Sequence, residues 1–126
     1  MLDGLLGIKE CCATGDDAPD FSLRTIDGTQ LITLSEFRGK PVVLVFGSCT
    51  CPPFVRSTTT INSLFEKYHE DVNFLMVYIR EAHPIGGREV PNNQFKVNAP
   101  TTLSERCALA EDFNDRIQMQ MPIVVD

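Results

Sequence analysis

Hydrophobic positions divide the chain into short apolar runs and longer segments with helical spacing. Residues 42–46 and 72–79 are apolar runs without polar alternation, which is typical of strands buried on both faces. Between them, apolar residues recur at helical spacing from Pro52 to an expected helix end at residues 69–71. This order of strand, helix and strand predicts a right-handed βαβ unit with parallel neighbouring strands.

Ahead of this unit, the pattern predicts an arm and a hairpin. Residues 1–17 lack periodicity and are expected to form a mobile N-terminal arm, followed by an ordered domain at residues 18–126. Residues 21–23 and 30–33 are short alternating segments, and Thr25-Ile-Asp-Gly28 between them contains an Asp-Gly turn signal. The sequence therefore predicts an N-terminal β-hairpin.

After the second buried run come a long loop, a helix and a last strand. Residues 81–101 are rich in Pro, Gly and Asn and are long for a connection inside a compact domain, which favours a functional role. Helical spacing returns over residues 103–117, where Thr102 or Ser104 can cap the helix start. Residues 121–126 begin another buried strand. The whole pattern predicts an α/β fold in one domain.

Charge and length exclude several classes of partner. The 126 residues include 17 acidic and 11 basic side chains, for a net charge of -6. This sign is unfavourable for binding a nucleic acid backbone or an anionic membrane surface. The apolar runs are shorter than the roughly 18 residues of a membrane-spanning helix, and the N-terminus lacks the basic segment of a secretory signal. We therefore expect no nucleic acid, no membrane and a cytoplasmic location.

The cysteines suggest reactive thiols. Their number is odd and their spacing irregular, unlike the paired framework of a small secreted module. They are Cys11, Cys12, Cys49, Cys51 and Cys107. Cys107 lies on the apolar face of the second predicted helix and is expected in the core. Cys11 and Cys12 lie in the predicted arm, where they could act as additional resolving thiols.

Cys51 is the candidate nucleophile. It lies between a buried strand and a helix, at or next to the helix N-cap, and Pro52 takes the favoured first helical position. The positive end of the helix dipole and nearby backbone N–H groups favour a thiolate there. Cys49 is close enough in sequence to form a Cys-x-Cys disulfide with Cys51, so it is the candidate resolving thiol.

Two titratable side chains follow the second buried strand. Because the carboxyl ends of neighbouring parallel strands open onto the same sheet edge, His83 is expected to converge on Cys51. A histidine there can take up or deliver a proton near neutral pH, and Glu81 can orient it. Pro122, before the last strand, suits a cis peptide lining a thiol site, with a trans proline at a strand start as the alternative.

Longer motifs carry a family resemblance. The Ala18-Pro-Asp-Phe entry, with Cys51-Pro-Pro after the buried strand, resembles the peroxiredoxin and thiol-disulfide reductase branch of the thioredoxin-fold superfamily. Residues 46–54 are more similar still to the iodothyronine deiodinase signature Phe-Gly-Ser-Cys-Thr-Sec-Pro-Pro-Phe, with Cys51 in place of selenocysteine. Residues 78–84 match the family's Tyr-Ile-x-Glu-Ala-His-Pro, and residues 122–126 resemble its later strand.

The resemblance implies a thioredoxin-like fold and a thiol oxidoreductase. That fold continues past the Pro122 strand with another strand and a closing helix, so its C-terminal part is expected to be missing from this chain. Cys51 is implied as the nucleophile that attacks the iodine of an aryl iodide or a related electrophile. Cys49 is implied as the auxiliary thiol, and His83 with Glu81 as the acid and base group.

Further expectations concern the substrate and the reductant. Four residues are expected to contact a small-molecule substrate: Ser48, Thr50, Phe54 and Pro122. The chemistry needs neither a metal nor an organic cofactor. Cys51 is expected to be regenerated through a disulfide with Cys49 or by an external thiol such as a thioredoxin or glutathione system. The family resemblance also suggests a homodimer.

Other functions fit the same residues. A peroxiredoxin-like thiol peroxidase would have Thr three residues before the nucleophile, and Ser48 can supply the same hydroxyl. A copper-binding thioredoxin-like chaperone could use Cys49, Cys51 and His83, because soft thiolates favour Cu(I). An interaction module without redox activity is the third alternative.

Overall fold

Residues 12–126, which the computed structural model describes, form five strands and two α-helices in the predicted order. Residues 1–11 of the predicted arm, including Cys11, lie outside the described residues. The strands are β1 Ser22–Thr25, β2 Leu31–Thr33, β3 Val42–Gly47, β4 Asn73–Tyr78 and β5 Ile123–Val125, and the helices are α1 Pro52–Tyr68 and α2 Leu103–Ile117. A short 3-10 helix, Leu34–Phe37, follows β2. No helix in the described part of the chain is long and apolar enough to cross a membrane.

The strands form one mixed sheet in the order β2-β1-β5-β4-β3. β3 and β4 are parallel neighbours, with Gly47 beside Tyr78 at their carboxyl ends. This arrangement confirms the predicted βαβ unit. β1 pairs antiparallel with both β2 and β5, and the Thr25 to Gly28 turn closes the predicted hairpin through a Gly28 N–H to Thr25 carbonyl bond of 2.8 Å.

Both α-helices pack on the same face of the sheet. Phe54 of α1 and Tyr78 of β4 each lie 5.8 Å from the ring of Phe113 in α2, measured between ring centroids. The α2 N-cap is Thr102, whose hydroxyl accepts a hydrogen bond of 3.1 Å from the Glu105 amide. The cysteine expected in the core, Cys107, is buried on this face. The core therefore lies between the helices and β4, directly behind the carboxyl ends of β3 and β4.

One prediction about burial is wrong for β3. The uninterrupted apolar run suggested a strand covered on both faces, but Val43 is 39% exposed and Phe46 is 55% exposed. Within residues 12–126, β3 is an edge strand with a single neighbour. Phe46 shares a sheet face with Leu44 because side chains alternate along a strand, and that is the face opposite the two α-helices. β4 and β5, which each lie between two strands, are buried as predicted.

The end of β3 fits closely against α1, and a methyl group at Gly47 would test this fit. A Cβ at this position would lie 2.5 Å from the Phe54 ring, too close for any side chain. We expect Gly47→Ala to lower the free energy of unfolding by about 1–3 kcal/mol, since Phe54 is held by Phe113 and cannot move freely. Urea unfolding measures the loss, and an unchanged midpoint would contradict the packing.

Candidate active site

Cys51 is the N-cap residue of α1, as predicted. Its amide donates to the Ser48 carbonyl at 3.2 Å, which closes a turn between β3 and the helix, and its carbonyl accepts from Val55 at 3.0 Å. Pro52 and Pro53 fill the first two helical positions, so neither offers an N–H to the sulfur. The Cys51 side chain makes no capping hydrogen bond and is partly exposed. Its thiol can therefore meet a reagent from solvent.

Behind this turn lies a buried carboxylate. Glu81 is 6% exposed, and its Oε2 accepts from the Thr50 amide at 3.0 Å and from the Thr50 hydroxyl at 2.5 Å. Its Oε1 accepts from the Tyr78 hydroxyl at 2.5 Å. These donors are all neutral, so among residues 12–126 the buried carboxylate is compensated by hydrogen bonds rather than by an ion pair.

Cys49 belongs to the same buried network. Its side chain is fully buried, and its sulfur lies 3.5 Å from Oε2 of Glu81. Its amide donates to the Tyr78 hydroxyl at 3.0 Å, so Tyr78 joins the cysteine turn to the carboxylate. Burial, and then the negative charge of Glu81, raise the pKa of the Cys49 thiol to about 12, while the Tyr78 contact opposes the shift. Cys49 is thus held as a neutral thiol.

His83 is partly exposed, and its ring has a defined partner. The Nδ1 atom lies 2.6 Å from the Arg88 carbonyl, which only accepts hydrogen bonds, so Nδ1 carries a hydrogen. Nε2 is left as the nitrogen that can exchange a proton with a ligand. The link to Glu81 is indirect rather than the direct contact we expected: the His83 amide donates to the Thr50 hydroxyl at 3.0 Å, and that hydroxyl donates to Glu81.

The residues predicted to contact the substrate take other positions. Ser48 and Thr50 are buried and tie the cysteine turn to the segment after β4, since the Ser48 hydroxyl accepts from the Ala82 amide at 3.3 Å. Phe54 lies in the core against Phe113. The structure therefore places these three side chains behind the reactive surface.

Pro122 does not reach the site at all. Its carbonyl accepts from the Met76 amide at 2.9 Å, level with the middle of β4, whereas Glu81 and His83 follow the end of β4. β5 is parallel to β4, so a residue that precedes β5 lies toward the amino-terminal ends of these strands, away from the carboxyl ends where Glu81 and His83 follow. The peptide bonds of residues 12–126 are all trans, which leaves the trans alternative for Pro122.

Two side chains that hold the cysteine turn, Tyr78 and Asn93, were not predicted from the sequence. Tyr78 is on the core side of β4, and a buried tyrosine hydroxyl needs a partner, so its place in the strand was an available signal. Asn93 comes from the long loop and donates to the Thr50 carbonyl at 2.9 Å, fixing the peptide group that precedes Cys51. Nothing local in the sequence distinguishes Asn93 from Asn92 beside it.

The loop also forms two grooves next to the cysteine turn. One, of about 270 Å³, includes His83, Ile85 and Phe95 in its lining. The other, of about 290 Å³, runs along the start of α1 and is lined by Pro52 and Arg56. Val90, Pro91 and Asn93 form a wall common to both grooves. His83 lines the first groove, so a ligand there would contact this side chain.

The described residues, 12–126, contain no group of three or more His, Cys, Asp or Glu side chains placed to hold a metal ion.

The sheet order, the βαβ unit and the cysteine at the helix start define a thioredoxin-like protein. Solved structures agree on the fold. The thioredoxin domain of a thiol-disulfide oxidoreductase from Bacteroides vulgatus matches 90% of this chain and 64% of its own with a TM-score of 0.63 at 14% identity. A secreted disulfide oxidoreductase from Mycobacterium tuberculosis matches 84% of this chain and 60% of its own with a TM-score of 0.58 at 15% identity.

The chain belongs to the iodothyronine deiodinase family, whose family model matches residues 4–126. The type II iodothyronine deiodinase of Bos taurus is 36% identical over all of this chain and 54% of the relative. The thyroxine 5-deiodinase of Ovis aries is 37% identical over 76% of this chain and 34% of the relative. The chain thus spans about half or less of the length of these curated relatives.

Removing the Tyr78 hydroxyl tests the buried network. Tyr78→Phe leaves Oε1 of Glu81 without its donor and the Cys49 amide without its acceptor, so we expect a loss of about 1–3 kcal/mol in the free energy of unfolding. The matched control is Tyr68→Phe, because Tyr68 is 41% exposed on α1. Equal urea midpoints for the two variants would contradict the network.

The raised pKa of Cys49 predicts its reactivity. The experiment is run between pH 7 and pH 9, below the Cys49 pKa of about 12, so Cys49 stays protonated and is alkylated slowly in the folded protein. The alkylation rate of Cys49 should rise with pH, because the thiolate fraction rises. Exposed Cys12 is the internal reference. Peptide mass spectrometry after iodoacetamide follows both residues, and in urea Cys49 should react as fast as Cys12. Equal alkylation rates for Cys49 and Cys12 in the folded protein would show that Cys49 is not held as a buried, neutral thiol.

Proposed function

We propose that this protein is a thiol oxidoreductase that removes iodine reductively from an aryl iodide. The observation that carries the proposal is the partly exposed Cys51 thiol at the start of α1, in a chain that belongs to the iodothyronine deiodinase family. The names of the relatives specify iodothyronines and thyroxine as their substrates. For this chain we propose the shared chemical class, an iodine on an aromatic ring.

In the proposed first step, the Cys51 thiolate attacks the iodine atom. The carbon–iodine bond breaks, its electron pair stays on the ring carbon, and a sulfur–iodine bond forms on Cys51. The ring carbon then takes a proton, for which Nε2 of His83 is the donor. The Arg88 carbonyl holds the imidazole by Nδ1, which leaves Nε2 as the nitrogen for this transfer.

The groove beside His83 suits an aromatic substrate. Ile85 is 47% exposed there, and Val90 and Pro91 add apolar atoms to the lining beside His83. Glu89, Asn93 and Lys96 supply polar groups to the same groove. This groove replaces the substrate contacts expected from Ser48, Thr50 and Phe54, whose side chains are buried.

The oxidised Cys51 must then be reduced by a second thiol. Attack on the sulfur–iodine bond releases iodide and gives a disulfide, with Cys49 or an external thiol as the attacking group. A thioredoxin or glutathione system would complete the reduction, and no organic or metal cofactor takes part in the proposed steps. The homodimer and the cytoplasmic location stay predictions.

The relatives favour deiodination over the peroxidase and copper-chaperone alternatives, since the matched family is that of iodothyronine deiodinases. Ser48 offers no support for a peroxidase, because its hydroxyl faces the Ala82 amide.

Turnover by Cys51 is the direct test. Reduced protein is incubated with an iodinated phenol and dithiothreitol, and iodide release is measured. We expect release by the wild-type protein and its loss in Cys51→Ser, which lacks the nucleophile. Cys12→Ser, at an exposed position, should retain full activity because dithiothreitol supplies the second thiol in this assay.

Parallel reactions with hydrogen peroxide compare the second electrophile. If neither compound consumes the Cys51 thiol faster than free cysteine does, the enzymatic proposal is wrong. If only peroxide does, the protein is a peroxidase.

A further inference from the structure

A buried thiol and a buried carboxylate stand side by side behind Cys51, and the first chemical step uses neither. Cys49 is fully buried, Glu81 is 6% exposed, and the sulfur lies 3.5 Å from Oε2. The thiol carries the hydrogen between these two atoms, so it donates and the carboxylate accepts. The pair is shielded from solvent, which limits where the thiol proton can go.

The charge of Glu81 further restricts where the Cys49 proton can go. Cys49 can attack another sulfur only as it loses its proton. Releasing the proton to solvent would leave two negative charges together in a buried space, with the carboxylate of Asp112 adding to the unfavourable field. Passing the proton to Glu81 leaves the total charge of the pair unchanged. The hydroxyls of Thr50 and Tyr78 around the carboxylate are neutral and do not compete for that proton.

We propose that Glu81 is the base that accepts the Cys49 proton when Cys49 closes a disulfide on oxidised Cys51. The inference rests on the proposed function, in which Cys51 carries iodine after the first step. The Cys49 sulfur bonds to the Cys51 sulfur, the sulfur–iodine bond breaks, iodide leaves with its electron pair, and the proton moves to Oε2 of Glu81. Cys49 is oxidised from thiol to disulfide, and Glu81 becomes a neutral acid.

The turn places a single residue, Thr50, between the two cysteines and ties that residue to Glu81. Cys49 and Cys51 are separated by Thr50, inside the turn that the Cys51 amide closes on the Ser48 carbonyl. Thr50 binds Glu81 through both its amide and its hydroxyl, so the carboxylate stays beside the turn while Cys49 moves toward Cys51. Asn93 holds the Thr50 carbonyl from the other side.

The experiment uses hydrogen peroxide, so that it does not depend on deiodination. One equivalent converts the Cys51 thiol to a sulfenic acid. The Cys49 sulfur then attacks the Cys51 sulfur, the sulfur–oxygen bond breaks, and the oxygen leaves as water. Dimedone trapping measures the first step, and the loss of two hydrogens from the peptide that contains both cysteines measures closure. The intact protein is used throughout, as wild type, Glu81→Gln and Glu66→Gln.

We expect Glu81→Gln, once its Cys51 sulfenic acid has formed, to close the disulfide more slowly than the wild-type protein, by about 100-fold or more at neutral pH. Glutamine keeps the shape and an acceptor oxygen but cannot take the proton. Raising the pH should recover closure in this variant, because hydroxide replaces the missing base, whereas a merely structural defect would not recover. Glu66→Gln, exposed on α1, should behave as wild type.

Closure by Glu81→Gln at the wild-type rate would overturn the inference, as would the absence of a Cys49–Cys51 disulfide in the wild-type protein. A second measurement covers the case in which the variant does not fold. In the wild-type protein, closure should not depend on the concentration of buffer base at fixed pH, because a buried base already takes the proton. A rate that rises with buffer concentration would show that Glu81 does not serve as this base.

Discussion

The cysteine turn is organised around one buried carboxylate, that of Glu81, which forms no ion pair with any cation among residues 12–126. An ionised carboxyl group loses its hydration on burial, and that loss is large unless hydrogen-bond donors replace the water. Glu81 receives donors from Thr50, Tyr78 and Cys49, and all of them are neutral. Each donor must stay within hydrogen-bond distance, so the geometry of the turn follows from the need to satisfy Glu81.

The sheet brings these donors together. β3 and β4 are parallel and in register at Gly47 and Tyr78, so the turn after β3 and the segment after β4 leave the sheet side by side. A hydrogen-bonded network in a poorly solvated site is stronger than its separate pairs, and its loss affects all members. The aromatic core of Phe54, Tyr78 and Phe113 supports the network from behind. The site is therefore rigid where it is buried and open where Cys51 and His83 meet solvent.

The same network gives two neighbouring cysteines different properties. Cys51 lies at the helix start, partly exposed and without a capping bond, while Cys49 is buried against a negative charge that helps raise its pKa to about 12. These properties agree with the proposed roles, since a nucleophile needs access and a resolving thiol needs to remain unreactive until its partner is oxidised. One residue between the two cysteines is sufficient for this division, because Thr50 is anchored on both sides, by Glu81 and by Asn93.

The sequence by itself determined the strands and helices, the parallel βαβ unit, and Cys51 at the helix start, because periodicity and neighbouring residues encode these features locally. Only the tertiary structure decided that Glu81 faces Tyr78 and Cys49 rather than the His83 ring, and that Phe54 lies in the core. It also decided that Pro122 lies toward the amino-terminal ends of β4 and β5, away from the cysteine turn, and that the Asn93 side chain bonds to the Thr50 carbonyl. These positions depend on strand order and on contacts between residues far apart in the chain, which no local pattern specifies. The exposure of Phe46 has the same cause, since the same apolar sequence fits a strand covered on both faces and a strand with one face open, and only the packing of other elements on that face distinguishes them.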